Sequence, residues 1–269
     1  MKPASDIKLM GIINVTPDSF SDGGLYRQSA DAVEQGRRLI ADGADILDIG
    51  GESTRPYAEP ISIDEELSRV IPVITGIRSF SDIPISIDTM KGEVAREALQ
   101  VGATIINDVS ALRHDPLMLE MVKQTDGEVI IMHMKGTPGT MQDNPTYGDI
   151  IAEIILFFRE RLSLLSSEGV DLGRIIIDPG IGFGKKLEHN LSILKHLEKL
   201  SSLGQPVLLG HSRKRFLGDI TQIDTPDRDL VTAVVSGLCQ NKGVSIIRVH
   251  DVASTRYALQ VCHAVNQAN

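Results

Sequence analysis

Eight short apolar runs, evenly spaced and each ending in a polar side chain, constrain this chain more than any other feature of its sequence. They are LMGIINV (9–15), ADILDIGG (44–51), IPISIDT (83–89), ATIINDVS (103–110), VIIMHM (129–134), RIIIDPG (174–180), PVLLGHS (206–212) and SIIRVHD (245–251). Runs of this length bounded by turn residues read as strands. Their near-continuous apolar character fits strands buried on both faces of a parallel sheet. Helical periodicity lies between them, near 29–42, 64–79, 91–101, 115–125, 149–168, 188–203, 225–242 and 252–266. In 149–168 it is clearest: Ile151, Ile154, Ile155, Phe158, Leu162 and Leu165 mark one face at three- and four-residue steps. Eight β-α repeats in 269 residues predict one (β/α)8 TIM barrel spanning residues 1–269 as a single domain. A doubly wound sheet would share the alternation, but it carries a glycine fingerprint after its first strand, and none follows residue 15.

The polar strand ends are Asn14, Asp48, Asp88, Asn107 with Asp108, His133, Asp178, His211 with Ser212, and Arg248 with His250. In such barrels the carboxyl ends of the strands gather at one face, where the active site lies. Any one of these residues could cap a following helix or tidy a loop, and Asp48 and Asp108 are expected to do so. All eight together predict a shared pocket.

The sixth run continues into DPGIGFGKK (178–186), which superficially suggests a phosphate loop. A Walker loop needs G-x-x-x-x-G-K and then Ser or Thr. Here Gly180 to Gly184 is one residue short, and Lys186 stands where the hydroxyl belongs. An aspartate at the entrance would also repel phosphate. A carboxylate at a strand end can instead accept two parallel hydrogen bonds from an amidine-like edge, as it does from arginine. Asp178 therefore predicts a guanine-like or pterin-like ring, with the glycines letting the backbone approach it beside Phe183. Phosphate belongs after the last two strands, where barrels often bind it. Arg248 and His250, with Arg213, could hold an anion there, Lys214 lies near the ring, and Arg55 in GGESTRP offers another cation. Asn14 supplies the kind of neutral oxygen that suits Mg²⁺, an ion that keeps most of its waters and takes ligands from substrate phosphates. His133 alone resembles no zinc set.

Composition removes other classes. The formal net charge is −9 and no basic run occurs, so nucleic acid is not an expected partner. No apolar run reaches membrane length and no signal peptide is visible, so no membrane partner is expected. Cys239 and Cys262 are isolated and read as small apolar residues in a reducing, cytoplasmic setting.

The motifs MGIINVTPDSFSDGG (10–24), DIGGESTRP (48–56), ISIDT (85–89), IINDVS (105–110), MHMKGTP (132–138), DPGIGFGK (178–185), SRK (212–214) and RVHD (248–251) together resemble the dihydropteroate synthase family over essentially the whole chain. That resemblance implies a transferase of folate biosynthesis joining (7,8-dihydropterin-6-yl)methyl diphosphate to 4-aminobenzoate, with Mg²⁺ as cofactor. It implies that Asp178, Asn107, Lys214 and Asp88 contact the pterin, and that Asp88, Lys214 and Arg248 carry the catalytic work. Thr54, Arg55, Arg248 and His250 would bind diphosphate, Asn14 would ligate the metal, and Phe183 and Ser212 would face 4-aminobenzoate. Loops 15–24 and 52–62 would close over that side, sulfonamides would compete there, and a homodimer would form through the last helices. Tyr57 departs from the family's usual STRPG, which bears on the second loop. His211 is expected only to pack. Three rivals are a non-catalytic pterin-binding paralogue, a folate–corrinoid methyltransferase and a metal-dependent aldolase or isomerase. The first would be expected to lose Asn14, Asp88 or the first-loop motif, the second lacks the diphosphate cations, and the third needs a carboxylate–histidine cluster.

Overall fold

The computed structural model describes residues 7–16, 25–55 and 58–268. Eight parallel strands close in sequence order: β1 (Lys8–Asn14), β2 (Ile46–Gly50), β3 (Ile85–Asp88), β4 (Ile105–Asp108), β5 (Glu128–Met132), β6 (Ile175–Asp178), β7 (Val207–Leu209) and β8 (Val244–Val249). The ring of helices is α1 (Leu25–Ala41), α2 (Ile63–Arg78), α3 (Gly92–Gln100), α4 (Pro116–Gln124), α5 (Ile150–Ser167), α6 (Leu187–Lys195), α7 (Arg215–Thr221), α8 (Asp229–Leu238) and α9 (Val252–Asn266). Their starts follow from local chemistry. Ser62, Asp115, Asp149 and Asp251 each accept a backbone N–H from the first turn of α2, α4, α5 and α9.

The strand period of two divides the work. Side chains pointing outward, such as Leu47, Ile49, Ile87, Ile106, Ile131, Ile177 and Ile247, pack under the helices in the main core. Side chains pointing inward form a second apolar cluster of Met10, Ile46, Ile105, Ile130, Ile176, Leu208 and Ile246, which fills the barrel. Two residues further along the same strands the inner face turns polar: Ile46 gives way to Asp48, Ile105 to Asn107, Ile176 to Asp178 and Ile246 to Arg248. The apolar layer is thus the floor beneath a charged one.

The structure departs from the sequence expectation mainly between β7 and β8. The helix expected over 225–242 is the shorter α8, and α7 stands before it unforeseen. Seven residues hold too few turns to show a 3.6-residue period. The helix expected over 188–203 ends at Lys195 and continues as a 3-10 turn, Leu197–Leu203. β7 keeps three residues, so His211 and Ser212 lie on the turn beyond it. Most of the first-loop motif (17–24) and Tyr57 fall outside the described residues.

Candidate active site

Arg248 organises the mouth of the barrel. Its Nε donates to Asp48 Oδ2 at 2.5 Å and its Nη2 to Asp88 Oδ2 at 2.7 Å. Asp48 also accepts from Asn107 Nδ2, at 3.3 and 3.4 Å. β8, β2, β3 and β4 are thereby joined by one hydrogen-bonded network. Asp48 is wholly buried and Asn107 nearly so. The reading of Asp48 as a helix cap is corrected: it points into the barrel and holds the guanidinium in plane. Asp108 does tidy its own loop, accepting from Ser110 N and Leu112 N at 2.7 and 2.9 Å.

Burial opposes the charge on Arg248, yet Asp48 and Asp88 hold its pKa above the ordinary value, so it stays a cation. Burial also lifts the Asp88 carboxyl, with Arg248 pulling it down and Asp48 adding to the rise. Among the described residues the hydrogen-bond partners of Arg248 engage Nε and Nη2 and not Nη1.

Asp178 lies across the same opening. Its Oδ1 takes the Gly180 N–H at 2.7 Å. A Cβ on Gly210 would stand 3.5 Å from Asp178 Oδ2 and 3.9 Å from Arg248 Cδ, so both side chains flank one strand end. Burial pushes the Asp178 carboxyl up to about 6, against the Gly180 N–H, Lys214 and Arg248. Lys214, the residue before α7, is lowered to about 8 by burial, with Asp178 opposing the shift. Its Nζ sits 3.9 Å from the Phe183 ring centroid, a cation over an aromatic face. Val109, Met132, Met134 and Met141 pack together with Phe183 against them, an apolar wall that the search for polar strand ends did not seek.

Ser212 and His250 form a pair. The Ser212 Oγ accepts the His250 backbone N–H at 3.2 Å and lies 2.9 Å from His250 Nδ1. With the hydroxyl proton directed to Nδ1, the imidazole N–H falls on Nε2. Burial, reinforced by Arg213 and Arg248, holds His250 down at about 3, so at neutral pH it offers a neutral donor and not a cation. Ser212, expected toward 4-aminobenzoate, is thus engaged with a residue expected at the diphosphate.

Arg213 is engaged with a carboxylate of its own. Its Nε and Nη2 each donate to Asp229 at 2.7 Å, a two-pronged pair with the start of α8. Buried His211 bonds Thr232 O and Ser236 Oγ on α8, the packing role expected of it. Thr54 is half-buried and Arg55 exposed in the loop after β2. That loop is pinned at its base by Glu52, which accepts from Ile61 N at 3.0 Å and Lys91 Nζ at 2.9 Å. Asn14 is half-buried at the tip of β1, opposite Gly50. No group of three or more His, Cys, Asp or Glu side chains able to hold a metal occurs among the described residues.

The glycines after β6 also serve the fold. Gly180 and Gly184 have positive φ, where side chains are disfavoured. A Cβ on Gly180 would stand 2.1 Å from His133 O, and one on Gly184 would stand 2.9 Å from Lys135 O. For these two the close approach seen is to the backbone after β5. Gly182 alone of the three faces the Lys214 side chain.

Residues 10–250 match the family described as pterin binding enzyme. The dihydropteroate synthase of Synechocystis sp. is 45% identical over 260 residues, covering 96% of this chain and 89% of that protein. The dihydropteroate synthase of Xanthomonas albilineans, solved with 4-aminobenzoic acid, superposes with a TM-score of 0.92 at 45% identity, covering 98% of this chain and 94% of that one. That of Yersinia pestis in complex with a sulfonamide drug gives a TM-score of 0.92 at 39% identity, covering 97% and 95%. The strand-end carboxylates, the partly buried arginine they orient and this similarity along the whole barrel agree: the chain belongs to the dihydropteroate synthase family of pterin-binding enzymes.

Proposed function

We propose that the protein transfers the dihydropterin-6-ylmethyl group from (7,8-dihydropterin-6-yl)methyl diphosphate to the amine of 4-aminobenzoate, an alkyl transfer that yields 7,8-dihydropteroate and pyrophosphate. The observation that carries this reading is the convergence of Asp178, Asn107, Asp88 and Lys214 with the outward-facing edge of Arg248 at one barrel mouth.

In this reading Asp178 accepts two hydrogen bonds from the 2-amino and N3 edge of the pterin, while Asn107, Asp88 and Lys214 surround the rest of the ring. The C–O bond to the diphosphate breaks with its electron pair, and the amine nitrogen forms the new C–N bond and releases a proton. An aniline-type amine is a weak nucleophile, so early departure of pyrophosphate eases the reaction. Arg248 Nη1 and the His250 Nε2–H meet the departing charge, with Thr54 and Arg55 on the loop above. Preorganised donors of this kind contribute several kcal/mol where charge develops. Asp88, when ionised, offsets the positive charge that spreads over the pterin.

The donor set fits Mg²⁺ carried in with the diphosphate. Asn14 is one neutral oxygen, and three carboxylates (Asp48, Asp88, Asp178) face two cations (Arg248, Lys214), which leaves little surplus positive charge for a polyanion. Bound there, Mg²⁺ would neutralise diphosphate charge, with Asn14 among its ligands.

Phe183 and the Met132–Met134–Met141 wall give 4-aminobenzoate an apolar flank, and Ser212 is within reach of both substrates. Sulfonamides, isosteric with the aminobenzoate, are expected to compete for that flank. A homodimer goes with this reading. Leu230, Val234 and Leu238 on α8 and Tyr257, Val261 and Val265 on α9 repeat every four residues and are 53–70% exposed. The two helices pack closely, a Cβ on Gly237 standing 2.9 Å from Cys262 Sγ, so each of these apolar stripes lies on one of two adjoining helices. Sedimentation should give a dimer that Leu230→Asp dissociates; a monomeric parent protein would contradict it. A cytoplasmic site of action is part of the same proposal; among the described residues no helix is long and apolar enough to cross a membrane.

The deciding experiment follows pyrophosphate release with both substrates and Mg²⁺. Release that requires 4-aminobenzoate is expected. Tight pterin binding without release would make the chain a binding paralogue.

A further inference from the structure

We propose that Lys185 is a positioning residue: by tying the glycine turn after β6 to the end of β5, it fixes the Phe183 ring that borders the aromatic amine. This rests on the assignment of Phe183 to the aminobenzoate side.

Lys185 is the lysine that made DPGIGFGK resemble a phosphate loop. Its side chain is instead almost fully enclosed. Nζ lies 3.0 Å from Phe183 O, 3.1 Å from His133 O and 3.0 Å from His133 Nδ1. Burial lowers its pKa to about 7, with Asp178 opposing the shift, and in the ammonium form its three N–H bonds are all taken by these three acceptors. One acceptor belongs to the peptide of Phe183 itself, and the other two to the residue that follows β5. The lysine therefore bridges the two segments and has no donor left for a ligand.

The turn needs such a tie. Gly180, Gly182 and Gly184 all have positive φ and impose little conformation of their own. Its shape is set from outside, by Gln142 Nε2 on Gly182 O and Tyr147 OH on Gly184 O, both 2.7 Å, by Asn190 Oδ1 accepting from Gly182 N at 2.8 Å, and by Lys185. Among the described residues it is Lys185 whose side chain bonds the Phe183 carbonyl, while Lys214 and the methionine wall meet the ring. Toward the Lys185 ammonium His133 accepts through Nδ1, which leaves its proton on Nε2, and its ring meets Phe157 edge-on at 5.0 Å. Burial and the neighbouring Lys185 keep that imidazole neutral, with a pKa of about 2.

Three variants of the full chain test this through steady-state KM for 4-aminobenzoate and calorimetric affinity for the dihydropterin. Phe183→Ala should raise the aminobenzoate KM by roughly tenfold, about the loss of one good aromatic contact. Lys185→Met keeps length and bulk but strands the acceptors; the same KM should rise about fivefold, with pterin affinity changed less than about twofold. His133→Phe keeps the ring and removes one acceptor, and should give the same split at about twofold, deciding the matter if the lysine variant does not fold. An unchanged aminobenzoate KM in folded Lys185→Met or, failing that variant, His133→Phe overturns the proposal, as do equal losses for both substrates. No effect of Phe183→Ala also overturns it, yet leaves the proposed reaction standing, since pyrophosphate release by the unaltered enzyme tests that separately.

Discussion

Two layers of the same barrel, offset by two residues along the same strands, behave as opposites. The lower one, Met10 to Ile246, is apolar and closed, and every side chain in it contributes to burial. The upper one sets buried Asp48, Asn107 and Asp178 beside Asp88 and Arg248, which are partly exposed at the barrel mouth. Charges there are stable only because they answer one another, and each has some bonding capacity left for a ligand. Fold stability and ligand recognition are thus stacked on one scaffold and can be altered separately.

Removing the centre of the upper layer should have the largest effect. Arg248→Ala takes away the proposed diphosphate ligand and leaves Asp48 and Asp88 buried without their partner. Turnover should fall by roughly a thousandfold, as for loss of a strong transition-state donor, and stability by about 3–5 kcal/mol. Diphosphate-bearing pterin should lose far more affinity than free pterin; equal losses in calorimetry would remove Arg248 from the anion site. In the lower layer, Ile176→Ala opens a cavity and should cost about 2–5 kcal/mol in denaturant unfolding. Turnover per folded molecule should stay within about threefold, because a filled floor two residues below the site carries no chemistry. A large fall in turnover with little loss of stability would mean the layers are not separable. The smallest effect belongs at the rim. Arg213→Ala removes a partly exposed pair with Asp229, so stability should change by about 1 kcal/mol or less and the KM for the pterin diphosphate should hold. A marked rise in that KM would restore Arg213 to the anion site.

The same contrast explains what could be read from the chain alone. The barrel was legible because eight apolar runs recur at one spacing, and Asp178, Asn107 and Arg248 were legible because a polar residue ending such a run has one place to point. Asp48 and Asp108 look alike in sequence, each an acid ending a strand. One caps its own loop, and the other pairs with an arginine 200 residues away, a contact no local pattern encodes. Arg213 and Lys214 are adjacent and both basic, but Arg213 has a positive φ of 57° and pairs with Asp229, while the Lys214 amine rests over Phe183. For Lys185 the motif identified a special residue, but its acceptors come from β5, so its task emerged only with the fold. The Met132, Met134 and Met141 wall was hidden for a simpler reason: apolar residues near strands read as core.

At the centre of the upper layer's chemistry stands Asp178, a carboxylate held against its solvation for a ring. Its pKa is raised to about 6 from 3.8, so the folded state disfavours the ionised form. That cost is complete above pH 6 and is relieved as pH falls toward 3.8. Binding runs the other way, because only the carboxylate accepts both pterin hydrogen bonds. Calorimetric titration of Asp178→Asn with a dihydropterin at pH 7.5, alongside its melting temperature, is therefore the most direct test (pH 7.5 being about 1.5 units above that pKa). We predict a loss of affinity of roughly a hundredfold or more, at about 1.5–3 kcal/mol for each bond, in a protein that melts no lower than its parent. Affinity of the unaltered protein should also fall as pH drops below about 6. Unchanged pterin binding by the asparagine variant would contradict the central claim.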